Sequence, residues 1–288
     1  MEFLLDAFGE AVDFLRDSSG ELGAVVGLTL LVAGIATMVA VVLGVPLGIT
    51  LGLGRFRGRQ VLLTFVNVGM GIPPVLVGLI VLMILWSDGP LGPLDILFTP
   101  TAMVIVQVFL ALPIAAGVTA GAVSSMSRDA VEQLAALRLG SVRRGVVVVK
   151  EVWPGVTAAV AASFGRVVSE VGAVLIVGGN IKGETRVLTT AIVQETRQAR
   201  FGAALALGLV LLTIAFIVPP LVIVVVWQRP DLLRSPKAIL GSIVAAAIPL
   251  AGYLFVYIRG AAHPEWWGEG DWTDANQWFW AFVSTAQG

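Results

Sequence analysis

The feature that most limits what this chain can become is where its charge is missing. Residues 22–54, 60–87, 96–127, 201–228 and 238–258 contain no Asp, Glu, Lys or Arg, and residues 152–181 contain only Arg166 and Glu170. A helix needs about 20 mostly apolar residues to cross a bilayer core. Six segments reach that length, at about 23–53, 61–86, 100–123, 153–178, 202–228 and 239–258. Lipid satisfies no open backbone groups, and no long alternating strand pattern is present. The expected fold is therefore all-α, a polytopic membrane helical bundle with about six spans. Only 13% of the 288 residues are charged, against roughly 25% in soluble domains. A soluble enzyme, a disordered chain and a single-anchor protein are excluded.

What the chain lacks narrows its chemistry. There is no cysteine, and His263 is the one histidine, so disulfides, thiolate metal sites, cysteine nucleophiles and His-based zinc sites or triads are excluded. A net charge of −1 gives no case for nucleic acid as a partner. The first 22 residues are acidic and lack the basic start of a signal peptide. They instead place Phe3, Leu4, Ala7, Phe8, Ala11, Phe14 and Leu15 on one broad face. Residues 1–22 thus read as an amphipathic segment lying in the membrane interface, in contact with lipid.

Basic residues mark the cytoplasmic loops of membrane proteins. With the N-terminus outside, loops 54–60, 124–152 and 229–238 are internal and hold three, five and three Lys or Arg, eleven in all. The external pieces hold six, and four of those fall in 179–201. N-out is favoured. The basic stretch 179–201 is the exception, which an anion-pathway mouth, a segment folded back into the protein or a plain surface loop would explain. Five of the eight tryptophans, Trp266, Trp267, Trp272, Trp278 and Trp280, crowd the C-terminal end, which reads as an interfacial anchor.

Within the spans, Gly44, Gly48 and Gly52, and again Gly117 and Gly121, recur at the four-residue spacing that lets membrane helices approach closely. Pro73 and Pro74 should kink or break the second span, either as a structural bend or as a hinge. Gly178-Gly-Asn-Ile-Lys-Gly183-Glu-Thr185 nearly matches a phosphate-binding loop, but Glu184 stands where the decisive lysine belongs, so nucleotide binding is rejected. The sharpest signal is Arg166 with Glu170, four apart on one helical face, with Ser163 on that face and Ser169 at its border. A charge near mid-bilayer costs roughly 3 kcal/mol or more, so such a pair faces protein or water. It is either an ion pair locking two helices or part of a polar stripe along a solute path, and the path is preferred.

The longest internal loop contains a short helix running to Gly140, with Asp129 as its expected cap, Glu132 three residues on, and Gly140 as its stop. Such a helix either lies flat on the membrane or inserts into a groove on another protein. Leu134-Ala-Ala-Leu-Arg-Leu-Gly140 resembles the coupling loop of permease subunits of type I ABC importers, usually written EAAxxxG. Ala135, Ala136 and Gly140 match. Leu134 replaces the leading glutamate, Glu132 lies two residues earlier, and the downstream proline is Pro154 at shifted spacing. Gly71-Ile-Pro-Pro-Val-Leu-Val-Gly78, Gly89-Pro-Leu-Gly92, Phe98-Thr-Pro-Thr-Ala-Met103, Leu112-Pro113-Ile-Ala-Ala-Gly117 and above all Ser169–Arg186 resemble tungstate-type permeases, near the molybdate type. The likeness covers about 24–228, so 23–228 is read as a permease core with five spans, and 229–288 as an added sixth span and tail.

The resemblance implies a plasma-membrane homodimer of permeases with two cytoplasmic ATP-binding subunits and an extracytoplasmic oxyanion-binding protein. ATP would act on the partner subunits; this chain would bind no cofactor, hold no catalytic residue and be a transport subunit rather than an enzyme. Glu132, Leu134, Ala135, Ala136, Arg138 and Gly140 would couple to the ATPase, and alternating access would import the solute. A tetrahedral dianion losing its water must be offered hydrogen bonds or positive charge. Ser163, Arg166, Ser169, Asn180 and Thr185 can offer them, with Glu170 partly neutralising Arg166 for brief passage. Tungstate is the expected solute. Molybdate, sulfate or another anion, and a secondary transporter without an ATPase, are the alternatives.

Overall fold

The structure is a computed structural model and describes residues 2–17, 19–137 and 139–228, with side chains for 6–16, 22–137 and 139–221. The chain divides into two units, Met1–Leu233 and Arg234–Gly288, and all described residues belong to the first. The sixth span, the tryptophan-rich tail and Arg138 lie outside the described residues. Among the described residues there is no strand, as the absence of alternating apolar patterns requires.

The bundle is built on two long apolar helices, α2 (Ser19–Leu53) and α5 (Pro100–Ser124). They lie side by side because their facing residues are small. A methyl added at Gly44, Gly48 or Gly52 would stand 2.6 Å from the Cβ of Ala115, Thr119 or Val123 respectively, inside van der Waals contact. In a membrane, helices gain little from hiding apolar surface, so close backbone approach is what joins them. The second small-residue pair does not continue this seam. Gly117 faces Met70, and Gly121 has nothing within 4 Å.

Two helices precede α5 where one span was expected, namely α3 (Arg59–Gly71) and α4 (Pro74–Leu85), bent by 99°. Ile72 and Pro73 are both extended, with ψ 133 and 121. Each proline drives the residue before it out of the helical region and removes a donor, so the pair breaks the span outright. After α5 come α6 (Arg128–Ala136), α7 (Ser141–Glu151) and α8 (Trp153–Val168), the last two meeting at 86°. The apolar run 153–178 is also divided: α8 stops at Val168, and α9 (Gly172–Gly178) restarts after three residues.

A last pair, α10 (Leu188–Arg197) and α11 (Phe201–Gln228), completes the unit. The start of α10 is buried, with Leu188 0% and Thr190 1% exposed, so this part of the basic stretch 179–201 is folded back into the protein rather than forming a plain surface loop. The N-terminal α1 (Glu2–Asp17) is helical as its periodicity predicts, but its buried strip is narrow. Ala7 and Ala11 are buried while Phe8 is 51% exposed, because α1 packs against α11 where Gly202 meets Glu10.

Two details of α6 depart from the expected reading. Its cap is Ser127, whose hydroxyl accepts from the Ala130 amide at 3.2 Å, in place of Asp129. Ser127 precedes the helix with extended backbone, whereas Asp129 already sits inside the first turn, too late to cap it. Gly140 does not stop α6, which closes at Leu137; it is the extended residue leading into α7.

Candidate functional site

The break between α8 and α9 gathers the polar residues of the spans. Arg166, in the last turn of α8, places Nη1 3.2 Å from Oε2 of Glu170. The pair is asymmetric: Arg166 is 29% exposed and Glu170 5%. The other carboxylate oxygen of Glu170 accepts from the Ala173 amide at 3.1 Å, at the start of α9. The acid thus serves as a helix cap as well as an ion-pair partner, and this local competition with the backbone ladder helps end the span early. Ser169 contributes to the same interruption, its hydroxyl donating back to Gly165 O at 2.7 Å and Arg166 O at 3.3 Å.

Other elements reach the break. Gln107 of α5 donates from Nε2 to Val167 O at 3.3 Å, and Thr189 of α10 donates to Glu170 O at 3.0 Å. The Leu188 amide donates to Thr29 Oγ1 of α2 at 2.9 Å. Val167 O also accepts from the Glu170 amide at 3.2 Å, so Gln107 is an added donor there, while Thr189 supplies one to the Glu170 carbonyl at the helix end. Sequence reasoning missed Gln107, Thr29 and Thr189. A signal existed for Gln107, the one amide side chain in the uncharged run 96–127.

The remaining candidates separate. Ser163 is fully buried, and its hydroxyl has no hydrogen-bond partner among the described residues. Asn180 and Thr185 lie beyond α9 in a tight turn where Gly179, Asn180 and Gly183 all have positive φ. Thr185 holds this turn shut, donating to Gly178 O and accepting from the Ile181 amide at 2.9 Å. The segment that nearly matches a phosphate loop thus folds onto its own backbone. Thr185→Val keeps the shape and orphans two backbone groups, at about 1–3 kcal/mol each. The expected result is a melting temperature several degrees lower, read by thermal shift on purified protein.

The family model described as binding-protein-dependent transport system inner membrane component matches residues 44–230. The chain belongs to this family of ABC transporter permeases. A probable anion ABC transporter permease of Haloferax volcanii is 39% identical over 67% of this chain and 85% of its own length. Tungstate uptake system permeases of Peptoclostridium acidaminophilum and Campylobacter jejuni are 35% and 36% identical, over 75% of this chain and 95% and 90% of theirs. The permease is therefore the membrane-embedded transport subunit of a system whose ATPase and binding protein are separate chains.

The segment resembling the coupling loop is a short helix seated by one buried side chain. Leu134 is 4% exposed and packs with Val45, Val123, Val148, Val152 and Val156, which anchors α6 to the bundle. Glu132, Ala135, Ala136, Leu137 and Gly140 are exposed on the outer side. Helix α7, which sequence reading left inside a loop, braces α6 through Val148, fully buried. Its four consecutive valines blur the helical period, and this hid it.

Proposed function

We propose that this permease imports a tetrahedral oxyanion, tungstate first, by alternating access. The observation that carries this reading is the asymmetry of the Arg166–Glu170 pair. Glu170 is buried and holds the Ala173 amide as a second partner, while Arg166 is the more exposed member, so its guanidinium can meet a passing anion while still paired to the acid. A guanidinium has donors to spare beyond one ion pair. Similarity to two tungstate uptake permeases over most of their length supports the choice of anion.

In this reading Ser163, Ser169, Asn180 and Thr185 line or frame the route, and Pro73 and Pro74 form a hinge. Glu132, Leu134, Ala135, Ala136, Arg138 and Gly140 form the surface that docks on cytoplasmic ATPase subunits. Two copies of the chain share the route, the N-terminus faces outward in the cell membrane, and an extracytoplasmic oxyanion-binding protein delivers the solute. Residues 1–22 lie in the interface, 23–228 are the permease core, and 229–288 are an addition. The family match ends at residue 230, which supports that boundary.

The test is uptake of labelled tungstate by cells expressing the whole system, with molybdate and sulfate as competitors. Arg166→Ala should lower uptake more than about tenfold, the loss of one charge-assisted contact of about 1.5–3 kcal/mol, while Arg166→Lys retains part of it. Unchanged uptake in Arg166→Ala would remove Arg166 from the route. Full competition by sulfate with no tungstate uptake would reassign the anion.

A further inference from the structure

The exposed surface of α3 is sorted by polarity. We infer that Gln60, Thr64, Asn67 and Gly71 form a water-lined stripe along α3 that is the inward half of the solute route. The inference rests on the import reading and is independent of which anion is carried.

The four residues are spaced four, three and four apart, so they share one face of α3, and all four are exposed. The neighbouring side carries Val61, Phe65 and Val68, each more than half exposed. That apolar side suits lipid tails. The polar side does not, because an amide turned to hydrocarbon without a partner is costly. Thr64 settles its own proton by donating to Gln60 O at 2.9 Å, so the side-chain donors on offer are the amides of Gln60 and Asn67. Nor does Asn67 sit at a membrane surface. A methyl added at Gly69 would stand 2.9 Å from Pro113 Cγ, and one at Gly117 would stand 3.2 Å from Val66 Cγ1. Asn67, between Val66 and Gly69, is therefore level with the middle of α5.

The stripe ends at backbone that lipid would not tolerate either. Pro73 and Pro74 stand four residues beyond Gly69 and Met70 and have no N–H to offer their carbonyls. Among the described residues no other backbone amide reaches those two oxygens across the break; the Leu76 and Val77 amides turn to Pro73 O, at 3.1 and 3.3 Å. Non-helical backbone at membrane depth persists where it is buried in protein or lines a water-filled cavity, and Gly71 and Pro73 are exposed. This break also adjoins the polar one. A methyl added at Gly172 would stand 2.8 Å from Val75 Cγ2 and 3.8 Å from Glu170 Oε1. The stripe thus leads from loop 54–60, internal in the proposed orientation, to the neighbourhood of Arg166 and Glu170. Uncharged amides replace part of an anion's hydration without holding it as a free cation would, which suits the stage at which the solute must leave.

The experiment uses the assembled transporter, in lipid nanodiscs for labelling and in liposomes for uptake. Asn67→Cys, Thr64→Cys and Phe65→Cys are made one at a time, in a chain with no native cysteine to interfere. Each is exposed to a membrane-impermeant, cationic methanethiosulfonate. The thiolate is the reacting form, and it needs water to ionise, so Asn67→Cys and Thr64→Cys should label at least about tenfold faster than Phe65→Cys. Separately, Asn67→Leu should lower tungstate uptake about three- to tenfold, the loss of one neutral hydrogen bond, while Asn67→Gln retains it. Labelling of both polar-face cysteines at the rate of Phe65→Cys would overturn the stripe, whether lipid or a second copy covers it. Fast labelling with unchanged uptake in Asn67→Leu would put the wetted face off the route and overturn the assignment too. Fast labelling in a complex that moves neither tungstate, molybdate nor sulfate would keep the water-lined stripe and sink the oxyanion reading.

Discussion

Gly48→Leu is expected to leave almost no folded permease in the membrane. Any side chain at this position meets the backbone of α5, with the Ala116 carbonyl oxygen 2.5 Å and Thr119 Cβ 2.6 Å from where the Cβ would stand. Overpacking a core typically costs about 1–3 kcal/mol, and here the obstacle is backbone, which cannot rotate aside. A penalty at or above the top of that range takes most of the margin of a protein at the lower end of the usual stability range of about 5–15 kcal/mol. The measurement is membrane yield and melting temperature in detergent. Gly121→Leu is the matched control, because it places the same side chain on α5 where nothing lies within 4 Å. If the two variants behave alike, the small-residue seam does not join α2 to α5.

Leu134→Ala is expected to separate ATP hydrolysis from transport. Truncating a buried leucine costs about 2–5 kcal/mol in a well-packed site, and α6 has Leu134 as its one fully buried residue. The helix is short and has little else to hold it, so the loss falls on its seating rather than on the whole bundle. Anion uptake should fall at least about tenfold, the equivalent of roughly 1.4 kcal/mol of lost coupling, while the ATPase subunits still bind and hydrolyse. Leu134→Met, which conserves volume, should transport nearly as the parent does. A Leu134→Ala complex with normal uptake per ATP would mean that α6 does not transmit force.

The bundle was legible because its signals are one-dimensional. Charge-free runs of the right length give the helices α2, α5 and α11, and glycines every four residues mark the α2 side of a close helix contact, although not the helix it meets. The breaks were only half legible. Prolines announce themselves, so an interruption at Pro73 was expected, although not its 99° angle. The interruption after Val168 has no proline. It arises from Ser169 and Glu170 bonding to nearby backbone, and a hydropathy pattern counts Glu170 only as a charge within an apolar run. The other polar residues at the break were hidden for a related reason. Thr29, Gln107 and Thr189 lie 78 or more positions apart along the sequence, and a lone threonine in a span looks the same whether it bonds its own helix or a neighbour.

The fastening of α1 to α11 has a consequence for how the permease is made. Helix α1 precedes every other described element in the chain, yet the surface that covers Ala7 and Ala11 belongs to the last of them, α11. At roughly 5–20 residues per second, the roughly 190 residues between Glu10 and Gly202 take about ten to forty seconds to synthesise. Throughout that interval Ala7 and Ala11 lack the surface that covers them in the finished unit. Among the described elements, α1 should therefore be the last to gain protease protection during insertion.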